Sequence, residues 1–249
     1  NSYNLSDEGL VALWGLNGDA NDETGRNDGS CTNCPSYLEA SGVVGEGGSF
    51  DGEDDCLTHS ALGELSHYKN FSVSFWFKTT VEGASESSVM FQNTMTNDRF
   101  SIGHYPGDGL RVAAWTGSWQ YGVAGDSSLN SEEWHHAGVS WNEESDTILV
   151  LLDGEELSGS GSSSTGNTVG FRLGCRLDDT SFFNGSIDEV RIYNRSLSAE
   201  EIQNLYELGS YHIEWNEWDS EGVMTDLTAK TSTSQGKFFQ WSAQYETDD

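Results

Sequence analysis

Apolar and polar residues alternate in short runs along most of this chain. In Phe71-Ser72-Val73-Ser74-Phe75-Trp76-Phe77, phenylalanine or valine returns at every second position. Successive side chains of a strand point to opposite faces, so a period of two predicts a strand with one face in a core. Comparable runs cover residues 10–16, 88–92, 99–104, 110–115 and 119–123. Residues 134–141, 147–152, 170–173 and 187–193 complete the series. Gly, Ser, Asn and Asp fill the segments between, which marks turns. No helical pattern of about 10–15 residues separates the runs, which argues against parallel βαβ units. The fold class expected is all-β, a two-sheet antiparallel jelly-roll sandwich with one short C-terminal helix.

That helix announces itself locally. Ser198 reads as N-cap, with Glu201 three residues on as its capping-box partner and Leu197 and Ile202 as the staple. Ile202, Leu205 and Tyr206 make an apolar stripe, and Gly209 reads as the C′ residue. The helix is therefore expected over about 199–208. Beyond it the character changes. Residues 1–210 read as the sandwich domain, and 211–249 as an acidic β-rich tail with a strand at 236–245. A tail of about 40 residues is too short for its own core, so it adds strands or begins a further module.

Charge adds a second constraint. The 249 residues carry 41 Asp and Glu against 11 Lys and Arg, a formal charge of −30. This excludes a nucleic-acid partner, whose phosphates need cationic side chains, and direct insertion into a membrane, for which no apolar run is long enough. Only four lysines are present, Lys69, Lys78, Lys230 and Lys237, and the acids spread along the whole chain. Such a surface fits a halophile; an ordinary acidic extracellular domain is the alternative. Asn4, Asn70, Asn184 and Asn194 begin N-x-S/T sequons, as suits a surface protein.

Cys31, Cys34, Cys56 and Cys175 form an even set, expected as disulfides. Three pairings are open, one of them closing Cys31 on Cys34 and leaving Cys56 with Cys175. A zinc site wants a second C-x-x-C, and only one is present.

Several segments together carry a resemblance. Gly9 to Trp14 followed by Asp22-Glu23-Thr24-Gly25-Arg26-Asn27, then Phe50-Asp51-Gly52 with Asp54-Asp55, come in order. Trp134-His135-His136-Ala137-Gly138-Val139, Leu152-Asp153-Gly154, and Phe183 to Tyr193 with the capped helix follow. In this order they resemble LamG-like jelly-roll domains of the concanavalin A-like lectin/glucanase superfamily. The tail is faintly similar to β-repeats of archaeal surface proteins. The resemblance implies a carbohydrate-binding, adhesion or calcium-binding module, and in some relatives a glycosidase or lyase.

Candidate sites follow. Asp188 is in phase with Val190 and Ile192, so it is expected to point inward, where a carboxylate needs a cation or several donors. The resemblance implies structural Ca²⁺ there, with Asp19 and Asp22 and the 45–48 loop completing oxygen ligation. Pairing of Asp188 with Arg191 or a backbone N–H is the alternative. Trp115, Trp119, Tyr121, His104, Tyr105 and Arg99 lie on the middle hairpins and are the candidate sugar contacts. His135 and His136 are adjacent on a strand and cannot readily share one ion. Glu217-Trp218-Asp219-Ser220-Glu221 copies the spacing of a glycosidase carboxylate motif, but it lies in the acidic tail and reads as chance.

The expected function is an extracellular, non-catalytic module of a larger multidomain surface protein, recognising a glycan or glycoprotein on a cell surface. A glycosidase or lyase and a structural spacer are the alternatives. If repulsion among the acids dominates stability, the melting temperature rises steeply from about 0.1 to about 2 M KCl, as the Debye length shrinks from about 10 to about 2 Å. Calorimetry across that range checks this, and a flat profile removes self-repulsion from the account.

Overall fold

The computed structural model describes residues 8–31, 33–38, 42–59, 70–79, 88–95, 99–105, 109–115, 119–124, 129, 133–142, 144–145, 147–157, 168–176 and 181–219. They form two antiparallel sheets and one helix. The eight-stranded sheet contains β1 (Leu10–Trp14), β3 (Ser36–Leu38), β4 (Gly47–Asp51), β6 (Asn70–Thr79), β11 (His135–Asn142), β12 (Thr147–Leu152), β13 (Glu155–Glu156) and β15 (Asn184–Tyr193). Its order is β13-β12-β11-β6-β15-β4-β3, and β1 pairs with the C-terminal half of β15. The seven-stranded sheet contains β2 (Ser30–Cys31), β5 (Leu57–His59), β7 (Ser88–Met95), β8 (Arg99–Tyr105), β9 (Gly109–Trp115), β10 (Trp119–Ala124) and β14 (Thr168–Leu173). Its order is β10-β9-β8-β7-β14-β5-β2.

The core lies between the sheets. Phe71, Val73, Phe75 and Phe77 of β6, with Ala137, Val139 and Trp141 of β11, come from one side. Phe100, Ile102, Leu110, Val112, Phe171 and Leu173 meet them from the other. Trp14 packs on Phe171 at 4.4 Å between ring centroids, and Phe71 meets Phe100 edge-on at 5.4 Å. All ten alternating runs are strands, and the jelly-roll expectation holds. Five short strands, β2, β3, β4, β5 and β13, carried no periodic signal, because two to five residues rich in Gly, Ser and Asp cannot show a period. The β12–β13 hairpin turns on Asp153 and Gly154, both at positive φ (51° and 79°), the conformation a tight two-residue turn requires.

The helix, α1 (Ala199–Asp219), is longer than the sequence indicated. Its N-terminus is as expected: Glu201 N–H donates to Ser198 Oγ at 3.2 Å, and Ser198 N–H donates to Glu201 Oε2 at 2.8 Å. Its expected end at Gly209 is wrong, because α1 runs through it. A Cβ on Gly209 would lie 2.4–2.5 Å from the Trp76 indole, so this glycine is there for close approach to β6 and does not terminate the helix. Ile202 fills the space above Gly138 in the same way, where an added Cβ would sit 2.1 Å from Ile202 Cγ2. Leu197, Ile202 and Leu205 form a second small core with Leu151 and Tyr193.

Glu217 and Asp219 lie within α1, so their spacing of two does not put them on one strand face, as the glycosidase motif needs. The expected strand at 236–245 lies outside the described residues.

The cysteine expectation resolves to Cys31–Cys34 and Cys56–Cys175. The bridges close loops of very different length, with sequence separations of 3 and 119. In the chain-entropy account, replacing Cys56 and Cys175 together by Ser lowers stability by about 5 kcal/mol, and replacing Cys31 and Cys34 by about 2 kcal/mol. Denaturant unfolding of the two double variants checks the ranking.

Candidate functional site

Strand register decides where the candidate sugar contacts lie. Arg99 pairs with Trp115, and Trp115 with Trp119. In the next row Ser101 pairs with Ala113, and Ala113 with Tyr121. The intervening residues Phe100, Ile102 and Val112 belong to the core. Alternation therefore places positions 99, 115, 119 and 121 on the outer face of the seven-stranded sheet. Tyr105, six positions after Arg99 on β8, has the same phase. His104 does not belong with them. It pairs with the core residue Leu110 and is 3% exposed, so it faces inward, where burial lowers its pKa. Adjacent strand residues cannot serve one face, which the expectation of both His104 and Tyr105 as contacts overlooked. Gln92 of β7 and Arg172 of β14 continue the Ser101 row, and both polar Gln92 and Ser101 are buried at its centre.

The expected calcium ligands are not brought together. Among the described residues, the acidic trio whose oxygens lie within 4.8 Å of one another is Asp51, Asp54 and Asp55. Asp22 is occupied by donors: the N–H groups of Leu13, Thr24, Arg26 and Asn27 and the Thr24 hydroxyl. Burial pushes its pKa up, yet these donors outweigh burial and hold it below the ordinary value. Asp19 is exposed and caps its own turn through Asn21 N–H at 2.9 Å.

Asp188 is fully buried, and its alternative reading is the one seen. Its carboxylate accepts the N–H groups of Val43 at 2.7 Å, Val44 at 3.0 Å and Glu189 at 2.7 Å. Burial pushes its pKa up to about 7; the charge of Glu189 adds to the rise and the backbone donors oppose it. The phase argument failed at a bulge. Glu189 adopts φ 51°, and pairing with β6 shifts register between Asp188 and Arg191. Ile187 and Val190 consequently both face the core, and Asp188 lies opposite Trp76 on the other face, under the 42–46 loop. That loop offers N–H groups where metal ligation would need oxygens.

Two clusters escaped the sequence reading. Glu189 is ion-paired with Arg191 and lies close to Glu23, whose pKa is raised by burial and then by the Glu189 charge. The bulge that joins them leaves no mark in composition. The second is His136, whose Nε2 lies 2.7 Å from Ser74 Oγ beneath the Trp76 and Tyr206 rings. His135 points elsewhere, its Nδ1 2.7 Å from Asp153 Oδ2. The two histidines point to different partners, as adjacent strand positions require.

Comparison with known proteins places this architecture. Residues 51–203 match the Laminin_G_3 family of the concanavalin A-like lectin/glucanases superfamily. The chain belongs to this family. Among curated proteins none shows significant similarity. Among solved structures, domain 4 of AbnA, a GH43 extracellular arabinanase from Geobacillus stearothermophilus in complex with arabinotriose, aligns with TM-score 0.65 and 22% identity, over 79% of this chain and 98% of that one. The receptor binding domain of botulinum neurotoxin C/D mosaic serotype aligns with TM-score 0.63 and 14% identity, over 80% of this chain and 51% of its own. Trypanosoma rangeli sialidase aligns with TM-score 0.62 and 15% identity, over 82% of this chain and 33% of its own. At these identities the similarity is one of fold.

His136 generates a pH prediction. Burial pushes its pKa down to about 3, so the folded Laminin_G_3 domain holds it neutral. Between the ordinary value of 6.5 and about 3 the unfolded chain binds a proton that the folded chain does not. Stability from this group is therefore complete above about pH 6.5 and lost as pH falls, by roughly 2 kcal/mol at pH 5. His136→Gln lacks this term, so its stability deficit against wild type narrows by about 2 kcal/mol between pH 7 and pH 5. Urea unfolding at both values, at one fixed salt concentration, measures it.

Proposed function

We propose that this domain is a carbohydrate-binding or adhesion module of an extracellular surface protein, and that it takes its glycan on the outer face of the seven-stranded sheet. The observation that carries the reading is the register that gathers Arg99, Trp115, Trp119 and Tyr121 on that face, with Tyr105 in the same phase. Sugars offer C–H faces to aromatic rings and hydroxyls to polar groups, and these residue types supply both. The relatives' names give support: one solved neighbour holds arabinotriose, and another concerns neurotoxin entry dependent on two ganglioside molecules. Two disulfides fit an oxidising compartment, and no described helix is long and apolar enough to cross a membrane. The partner is a glycan or glycoprotein on a cell surface, met by one module of a larger protein. The acidic surface fits a halophilic source.

For calcium, the candidate holder becomes Asp51, Asp54 and Asp55. Asp51 Oδ1 already accepts N–H groups from Glu53 and Asp54, so the trio presents its remaining oxygens. A second reading, a glycoside hydrolase or polysaccharide lyase, has the neighbouring carboxylates Glu23 and Glu189 in its favour. Against it, Arg191 neutralises Glu189, and the pair lies beside β1 and β15, on the sheet opposite the aromatic face.

A glycan array at high salt tests the proposal. Wild-type protein binds a defined set of glycans without releasing sugar. Trp115→Ala and Trp119→Ala each weaken that binding by about tenfold or more. No binding on the array favours the spacer reading, and sugar release favours the enzyme.

A further inference from the structure

The edge of a β-sheet offers a row of backbone N–H and C=O groups to a further strand. Most edges of this sandwich are closed. β1 is covered by the 22–27 segment: Glu23 N–H donates to the Leu13 carbonyl at 2.8 Å, Leu13 N–H donates to Asp22 Oδ1 at 2.8 Å, and Asn27 Nδ2 donates to the Val11 carbonyl at 2.9 Å. β13 is two residues long, and both are exposed glutamates. β3 has three residues and follows Pro35. β2 has two, and the Cys31–Cys34 bridge closes the chain on itself there, with the Asn33 carbonyl accepting Cys56 N–H at 3.1 Å. Short strands, charges and proline are the usual means of keeping an edge from pairing.

β10 is different. Trp119-Gln120-Tyr121-Gly122-Val123-Ala124 is six residues with no charge and no proline, and its register shift falls after Gly122, toward one end. Among the described strands it pairs with β9 alone. The strands behind it share its lack of acids. The chain carries 41 Asp and Glu, yet none of the residues in β2, β5, β7, β8, β9, β10 and β14 is one of them.

We infer that β10 pairs antiparallel with β10 of a second copy of this chain, joining two seven-stranded sheets across a two-fold axis. Charge argues for this partner. Two bodies of −30 repel wherever acids meet acids, and this edge brings together strands that carry none. The axis stands perpendicular to the sheet, so the outer faces of both copies lie on one side, and positions directly opposite each other share a face. Position 121 lies on the outer face, whereas 120 and 122 pair with Ala114 and Val112 in the other phase. The central register that respects phase sets Tyr121 opposite its own copy and Gln120 opposite Gly122. The inference stands independently of the glycan-binding reading. The two together give one surface with two sets of candidate sugar positions, which raises avidity.

Sedimentation velocity of the full chain tests it, at about 1 M KCl, where a Debye length of about 3 Å screens the body charge. A contact of this length gives a weak dimer, with Kd of about 1–100 µM. Tyr121→Glu and Tyr121→Lys each set like charges opposite one another and weaken dimerisation by about tenfold or more. A thermal melt confirms that each variant is folded. Mixing the two variants restores the dimer, because opposite charges then face each other; loss of a tyrosine contact alone is not relieved in this way. Wild-type protein that stays monomeric up to about 1 mM overturns the inference and leaves the edge to a strand of another protein. A dimer that persists in both variants overturns the assignment to β10. A dimer lost in both and not restored on mixing overturns the pairing of β10 with its own copy.

Discussion

The Asp188 carboxylate is the tie on which this sandwich depends. It sits at the bulge of β15, the strand that pairs with β6, β4 and β1. Three backbone N–H groups end on it, two of them from the loop before β4. A buried donor left without an acceptor costs about 1–3 kcal/mol, so one side chain closes several deficits at once. By holding the 42–46 loop against the sheet it fixes how β4 enters alongside β15. The bulge beneath it turns Ile187 and Val190 both toward the core, so hydrophobic packing and the buried carboxylate support one another.

The outer faces of the two sheets have different fates. On the eight-stranded sheet, Trp76, His136 and Gly138 lie under α1, and small residues at Gly138 and Gly209 let the helix backbone come close. Trp76 stacks on Tyr206 at 5.6 Å, and neutral His136 fills the space beside them. That face is used for packing. On the seven-stranded sheet the equivalent positions hold arginine, tryptophan, tyrosine and small polar residues, and no acid. The inner faces of the two sheets carry the core, and the outer face of the seven-stranded sheet is the one proposed above for recognition.

The acids divide in a similar way. Asp19, Asp22, Asp51 and Asp188 each accept backbone N–H groups and so organise turns. Glu201 closes the helix N-terminus and pairs with Arg195. The donors on Asp22 and Asp188 account for their burial without a metal.

The sequence by itself determined the long strands, the all-β class and the capped start of α1. Each rests on an interaction within a few residues: strand alternation at 71–77, or the exchange between Ser198 and Glu201. Phase along β8 to β10 was also legible: positions 99, 105, 115, 119 and 121 share one phase. His104, next to Tyr105, has the opposite phase and lies with the core residue Leu110. Tertiary structure decided the rest. The bulge at Glu189 reversed the face of Asp188, and nothing local marks it, because the extra residue is accommodated by pairing with a strand more than 100 positions away. Gly209 reads as a helix stop until Trp76 is seen packed on it. The partner of Cys56 likewise depends on which strands are neighbours, and strand order is settled by burial across the whole core.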